Sequence, residues 1–138
     1  MQGFFRIPAR LHLGFILMTE LASAYEESKP LSLKNVAERM QVSDGYLEEI
    51  AASLKAAKLI KGVTGPKGGY QLFRHPDLIT AEDIVRAIEG DINLVECQDG
   101  GICPVEEYCQ SKGLWDFLQE TVAEVLKKKR LSQLMKKI

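Results

Sequence analysis

Three cysteines, Cys97, Cys103 and Cys109, fall within thirteen residues as C-x5-C-x5-C. An odd number of thiols bunched in one segment is a poor disulfide framework and a better metal or redox site. Cysteine thiolates hold iron–sulfur clusters. Structural zinc sites favour pairs two to four residues apart, so the wider spacing argues mildly against zinc. Gly100 and Gly101, between the first two cysteines, let the chain fold back without steric cost. On spacing alone, an iron–sulfur cluster, a zinc ion and plain reduced thiols all stand.

A second group of residues suits a polyanion. Ser43, Tyr46 and Glu48 open a helical stretch, and a hydroxyl, a phenol and the first N–H groups of a helix suit phosphates. Glu48 would repel phosphate but can accept from cytosine N4, so its expected part is discrimination rather than affinity. Further along, Thr64-Gly65-Pro66-Lys67-Gly68-Gly69 forms a narrow turn with Lys67 at its tip, and Lys55, Lys58 and Lys61 lie near its base. Each lysine that neutralises a phosphate releases about one counterion.

The elements that must position these residues follow from apolar spacing. From Ile7 to about Tyr25 apolar residues recur at helical intervals on two faces, which requires cover on two sides. The stretch Glu26-Glu27-Ser28-Lys29-Pro30 ends that helix. Ser32 and Ser43 read as N-caps of two short helices joined at Gln41-Val42, the spacing of a helix-turn-helix. Two short strands, 59–63 and 70–74, flank the Gly/Pro turn as a β-hairpin. Together they predict a winged helix, mainly α with a small β-hairpin. Thr80 caps a further helix that stops at Gly90. A long amphipathic helix from Leu114 carries Leu118, Val122, Val125 and Leu126 on one stripe, with a weak point at residues 127–130. Such a stripe outside the winged-helix core needs a partner, and a symmetric dimer is the commonest solution. The expected division is a DNA-binding part at 1–78 and a cysteine-segment and dimerisation part at 79–138.

Composition bounds the function. The chain has 138 residues, 46% hydrophobic and 27% charged, enough for one globular domain without disulfides. The net charge of −1 conceals blocks: +4 over residues 29–75, −9 over 76–120 and +5 over 121–138. A basic block beside an acidic one fits a polyanion met by one face. The longest apolar run, residues 13–18, is far short of the roughly 20 needed to span a bilayer. The N-terminus carries no signal-peptide cleavage pattern, so a cytoplasmic protein with no membrane partner is expected. No phosphate-cradling Gly-x4-Gly-Lys loop, nucleophile elbow or carboxylate pair with a positioned histidine is present, so an enzyme is not expected.

The helix-turn-helix, Tyr46-Leu47-Glu48, the wing Gly65-Pro66-Lys67-Gly68-Gly69-Tyr70 and the three-cysteine segment together resemble the IscR/NsrR family of winged-helix transcription regulators. The resemblance runs from about Phe5 to Leu134. It implies a homodimer that binds double-stranded operator DNA as a repressor or activator. It also implies a cluster, 2Fe–2S ahead of 4Fe–4S, held by Cys97, Cys103 and Cys109, whose gain or loss changes which operators are bound. The helix from Leu114 matches the family's dimerisation helix. The chain departs from the pattern at three places. Lys112 stands where some members place a histidine ligand three residues after the third cysteine. Arg10 stands near where others place an acidic ligand from the partner. Thr64 replaces a common wing arginine. His12 is the candidate fourth ligand, since imidazole binds iron; Glu106 and Glu107 are weaker ones.

Overall fold

The computed structural model describes residues 6–95, 98, 100 and 104–135. Cys97 and Cys103 lie outside them, as does the Glu106 side chain. Helix α1 spans Ala9–Ser23 and buries Leu11, Leu17, Met18 and Leu21, while Leu13, Phe15 and Ile16 stay half-covered. Both apolar faces are therefore used, each with some residues fully buried and others half-covered. Pro8 precedes the first helical residue, a place that tolerates its missing N–H.

Helices α2 (Leu33–Met40) and α3 (Asp44–Ala56) form the helix-turn-helix. The turn depends on Gln41, which adopts the left-handed conformation at φ 58° and sends the chain directly into α3. Ser43 caps α3 through a bond accepted from the Tyr46 N–H at 3.1 Å. Ser32 occupies the N-cap position of α2 without a side-chain capping bond.

Strands β1 (Ile60–Val63) and β2 (Gly69–Leu72) pair antiparallel, Ile60 opposite Leu72 and Val63 opposite Gly69. Leu31 adds to this hairpin by exchanging two backbone bonds of 2.9 Å with Tyr70. The wing is thus fastened to the connection before α2. Gly68 and Gly69 are required here: a side chain on either would run into a backbone carbonyl, Val63 for the first and Leu31 for the second.

A 3-10 turn at Pro76–Leu78 leads to α4 (Ala81–Glu89), opened by a full capping box between Thr80 and Asp83. Helix α4 packs on α1 and α3. After the cysteine segment, α5 (Lys112–Lys128) runs past α4, and the chain then turns back into α6 (Leu131–Leu134). The return is stitched by Ala81 N–H to the Lys129 carbonyl and Leu131 N–H to the Ile79 carbonyl, both 2.8 Å. Leu131 enters the same core as Leu17, Leu21, Leu47, Leu54 and Ile79. Residues after 79 therefore share the hydrophobic core of the winged helix.

Candidate nucleic-acid interface and cysteine segment

Core burial fixes α3: Leu47, Ile50, Ala51 and Leu54 face inward, leaving Glu48 and Lys55 exposed on another side. Glu48 Oε2 lies 3.5 Å from the Tyr70 hydroxyl, which donates toward it from the wing strand. Burial chiefly, and then the Glu48 charge, push the Tyr70 phenol above its ordinary value. A Cβ on Gly62 would stand in ordinary contact with both the Lys55 ammonium, at 3.9 Å, and the Tyr70 ring, at 4.0 Å. Glu48, Lys55 and Tyr70 thus cluster where α3 meets the wing.

Ser43 is exposed, but its hydroxyl oxygen is engaged as a cap. Tyr46 is half-buried and lines a recess of about 170 Å³ with Arg10, Glu49 and Ile88, so it belongs partly to the packing between α1, α3 and α4. In the wing turn Thr64, Gly65, Pro66 and Lys67 are all exposed, and Gly68 N–H donates to the Gly65 carbonyl at 2.9 Å. His75, beyond the wing, accepts from the Asp77 N–H at Nδ1 and meets the Tyr25 ring edge-on at 5.3 Å.

Of the three cysteines, Cys109 is described. It is half-buried, and its Sγ lies 3.4 Å from the Ser111 hydroxyl. That contact, helped by backbone N–H groups and the Lys112 charge, holds the thiol below its ordinary value and favours the thiolate. Thiolate is the metal-binding form. His12 is exposed on α1. Arg10 forms a two-pronged pair with Glu89, at 2.8 and 2.7 Å, which ties α1 to the end of α4. The Arg10 contact holds the Glu89 carboxyl below its usual range. Among the described residues no three His, Cys, Asp or Glu side chains converge as a metal site.

The Rrf2 family, described as "Iron-dependent Transcriptional regulator", matches residues 7–137. The chain belongs to the Rrf2 family. It is 36% identical over 129 residues to the HTH-type transcriptional regulator CymR of Bacillus subtilis (strain 168), covering 94% of this chain and 88% of that one. It is 30% identical over 112 residues to the HTH-type transcriptional regulator IscR of Vibrio campbellii, covering 81% and 67%. Among solved structures, that of CymR, the global cysteine regulator of B. subtilis, superposes with a TM-score of 0.79 at 37% identity, covering 95% of this chain and 96% of that one. T. potens IscR superposes with a TM-score of 0.77 at 32% identity, covering 95% and 86%.

As an Rrf2 protein the chain is a DNA-binding transcription regulator on a winged-helix scaffold, not an enzyme. No helix among its described residues is long and apolar enough to cross a membrane. Lys29 and Arg39, outside the wing and outside α3, the recognition helix of the helix-turn-helix, also line a cleft against the wing turn. In the sequence both count only toward the basic block of residues 29–75, because the Leu31–Tyr70 pairing that brings them to the wing is long-range.

Proposed function

We propose that this Rrf2 protein is a cytoplasmic homodimer whose grip on operator DNA is modulated by an iron–sulfur cluster, 2Fe–2S rather than 4Fe–4S. Cys97, Cys103 and Cys109 would hold it, with His12 the candidate fourth ligand. The observation that carries this reading is three thiols in thirteen residues within a chain matching an iron-dependent regulator family almost end to end. The donor chemistry fits: Cys109 is partly accessible and biased toward thiolate. When bound, such a group supplies an iron- and oxidant-sensitive tie between cysteines.

The protein's own residues do the rest. The cysteine segment joins α4 to α5, and α4 packs on α1 and α3, so a change in the segment has a short path to the recognition helix. Ser43, Tyr46, Glu48 and Lys55 face or brace the major groove, and Thr64, Gly65, Pro66 and Lys67 approach the minor groove. Dimerisation falls to α5, which buries none of its residues and exposes Leu114, Phe117 and Val125 by more than half. Half-sites about 34 Å apart tolerate little change in the spacing of two recognition helices.

The test is purification without oxygen, followed by iron and sulfide analysis and a visible spectrum. A brown protein with matched iron and sulfide is expected. Cys103→Ala is expected to remain dimeric by ultracentrifugation while its operator affinity changes. A colourless, iron-free protein would overturn the cluster reading.

A second reading is favoured by two observations. The relative CymR is the global cysteine regulator of B. subtilis. In this chain Arg10 and Lys112 also occupy positions where the resembling family places ligands, and the Arg10 guanidinium is engaged by Glu89. On this reading the thiols act without a cluster, reduced or holding zinc. Zinc without sulfide, or metal-free thiols with unchanged operator binding on iron removal, would support it.

A further inference from the structure

A cleft of about 580 Å³ opens between the wing turn, residues 27–32 and the start of α2. Lys29 lines it from the connection before α2 and Lys67 from the wing. Both are exposed, and neither has an ion-pair partner among the described residues. Arg39 adds a third cation, tethered to Glu20 at 3.0 Å, against a single lining carboxylate, Glu27. The Ser32 hydroxyl, which makes no capping bond, and the Asn35 amide supply neutral hydrogen-bond donors.

The two walls cannot drift apart freely. Leu31 and Tyr70 hold them with two 2.9 Å backbone bonds, and Gly69 permits an approach that any side chain would block. The cleft is therefore preformed, and ordering it costs little on binding. Its place matters as much as its charge. In a helix-turn-helix the first helix crosses the DNA backbone while the second enters the major groove, and a wing reaches the neighbouring minor groove. The strand separating those grooves must pass between α2 and the wing, which is where this cleft opens.

We propose that the cleft seats a backbone phosphodiester of the DNA duplex, with Lys29 and Lys67 as its charge partners and Ser32 and Asn35 as hydrogen-bond donors. The proposal rests on the DNA-binding reading above and extends the interface to the connection between α1 and α2. The contact is indifferent to sequence and fixes the register in which α3 meets base edges.

Salt dependence tests it without knowledge of the operator. Binding to a random-sequence duplex is measured across salt concentrations for the wild type, Lys29→Ala, Lys67→Ala, Lys55→Ala and Lys127→Ala. Each lost phosphate contact lowers the slope of log K against log salt by about 0.9. Lys29→Ala and Lys67→Ala are expected each to show that loss, with Lys127→Ala unchanged and Lys29→Arg restoring the wild-type slope. A reduced slope for Lys67→Ala beside an unchanged one for Lys29→Ala would leave DNA binding intact and overturn the cleft as a phosphate seat. Unchanged slopes for Lys29→Ala, Lys67→Ala and Lys55→Ala together would sink the DNA-interface reading itself. Saturable, Lys29-dependent binding of inorganic phosphate with no effect on the DNA salt slope would reassign the cleft to a free anion and also overturn the proposal.

Discussion

Ser43 and Tyr46 sit three residues apart and have different fates. Ser43 is a cap, and its oxygen accepts the Tyr46 N–H at 3.1 Å. Ser43→Ala should cost about 1 kcal/mol, read as a lowered thermal midpoint, because one N–H at the start of α3 loses its partner. That role was legible, since a serine ahead of an apolar i, i+3, i+4 pattern is a local signal. Tyr46 was legible only in part. Its spacing puts it on the stripe of Leu47 and Ile50, while its position at the helix start suggests a phosphate contact. The structure sets it beside Arg10, which the chain contributes from a distant helix. Glu48 remains exposed, and its one described side-chain bond, from the Tyr70 hydroxyl at 3.5 Å, is long and can be exchanged for a bond to a base.

Among the elements, the helix-turn-helix and the wing came close to their sequence boundaries because caps, turns and glycines act over a few residues. Strands expected at 59–63 and 70–74 form at Ile60–Val63 and Gly69–Leu72. The last helices differ more. Apolar spacing continues from Leu126 through Leu131 and Leu134, yet α5 stops at Lys128 and the chain extends through Lys129 and Arg130. The reason is tertiary: the bonds to Ile79 and Ala81 replace helical ones and deliver Leu131 to full burial. Leu131→Ala should therefore destabilise the winged helix itself, by about 2–5 kcal/mol in denaturant unfolding. The same truncation at Leu134, more than a third exposed, should cost far less.

For the whole molecule, two features bear on assembly and acid stability. Helix α5 leaves Phe117 65% exposed and Val125 54% exposed on one apolar stripe. The proposed homodimer through α5 predicts that Phe117→Asp is monomeric in analytical ultracentrifugation while keeping its helical circular dichroism, because the charge falls on a side chain that its own protomer leaves 65% exposed. The Arg10–Glu89 pair ties α1 to α4. Its folded-state Glu89 carboxyl lies below the ordinary value, so the pair contributes stability above about pH 4.5 that is lost as pH falls through the depressed value. Glu89→Gln should therefore show a flatter decline of thermal midpoint on acidification than the wild type, with a lower midpoint near neutrality.

What the sequence determined on its own is the short-range part of this protein: cap serines, the wing turn, the cysteine spacing, the unpartnered stripe of α5 and the basic block. Each depends on residues a few positions apart, where backbone geometry and periodicity leave few alternatives. Tertiary structure alone decided that Tyr46 packs near Arg10, that the chain after α5 returns to bury Leu131, and that Lys29 shares a cleft with Lys67. Those outcomes depend on which distant backbone groups pair, Leu31 with Tyr70 and Ile79 with Leu131, and such pairings have no local signature because loop closure can bring many segments together at similar entropic cost.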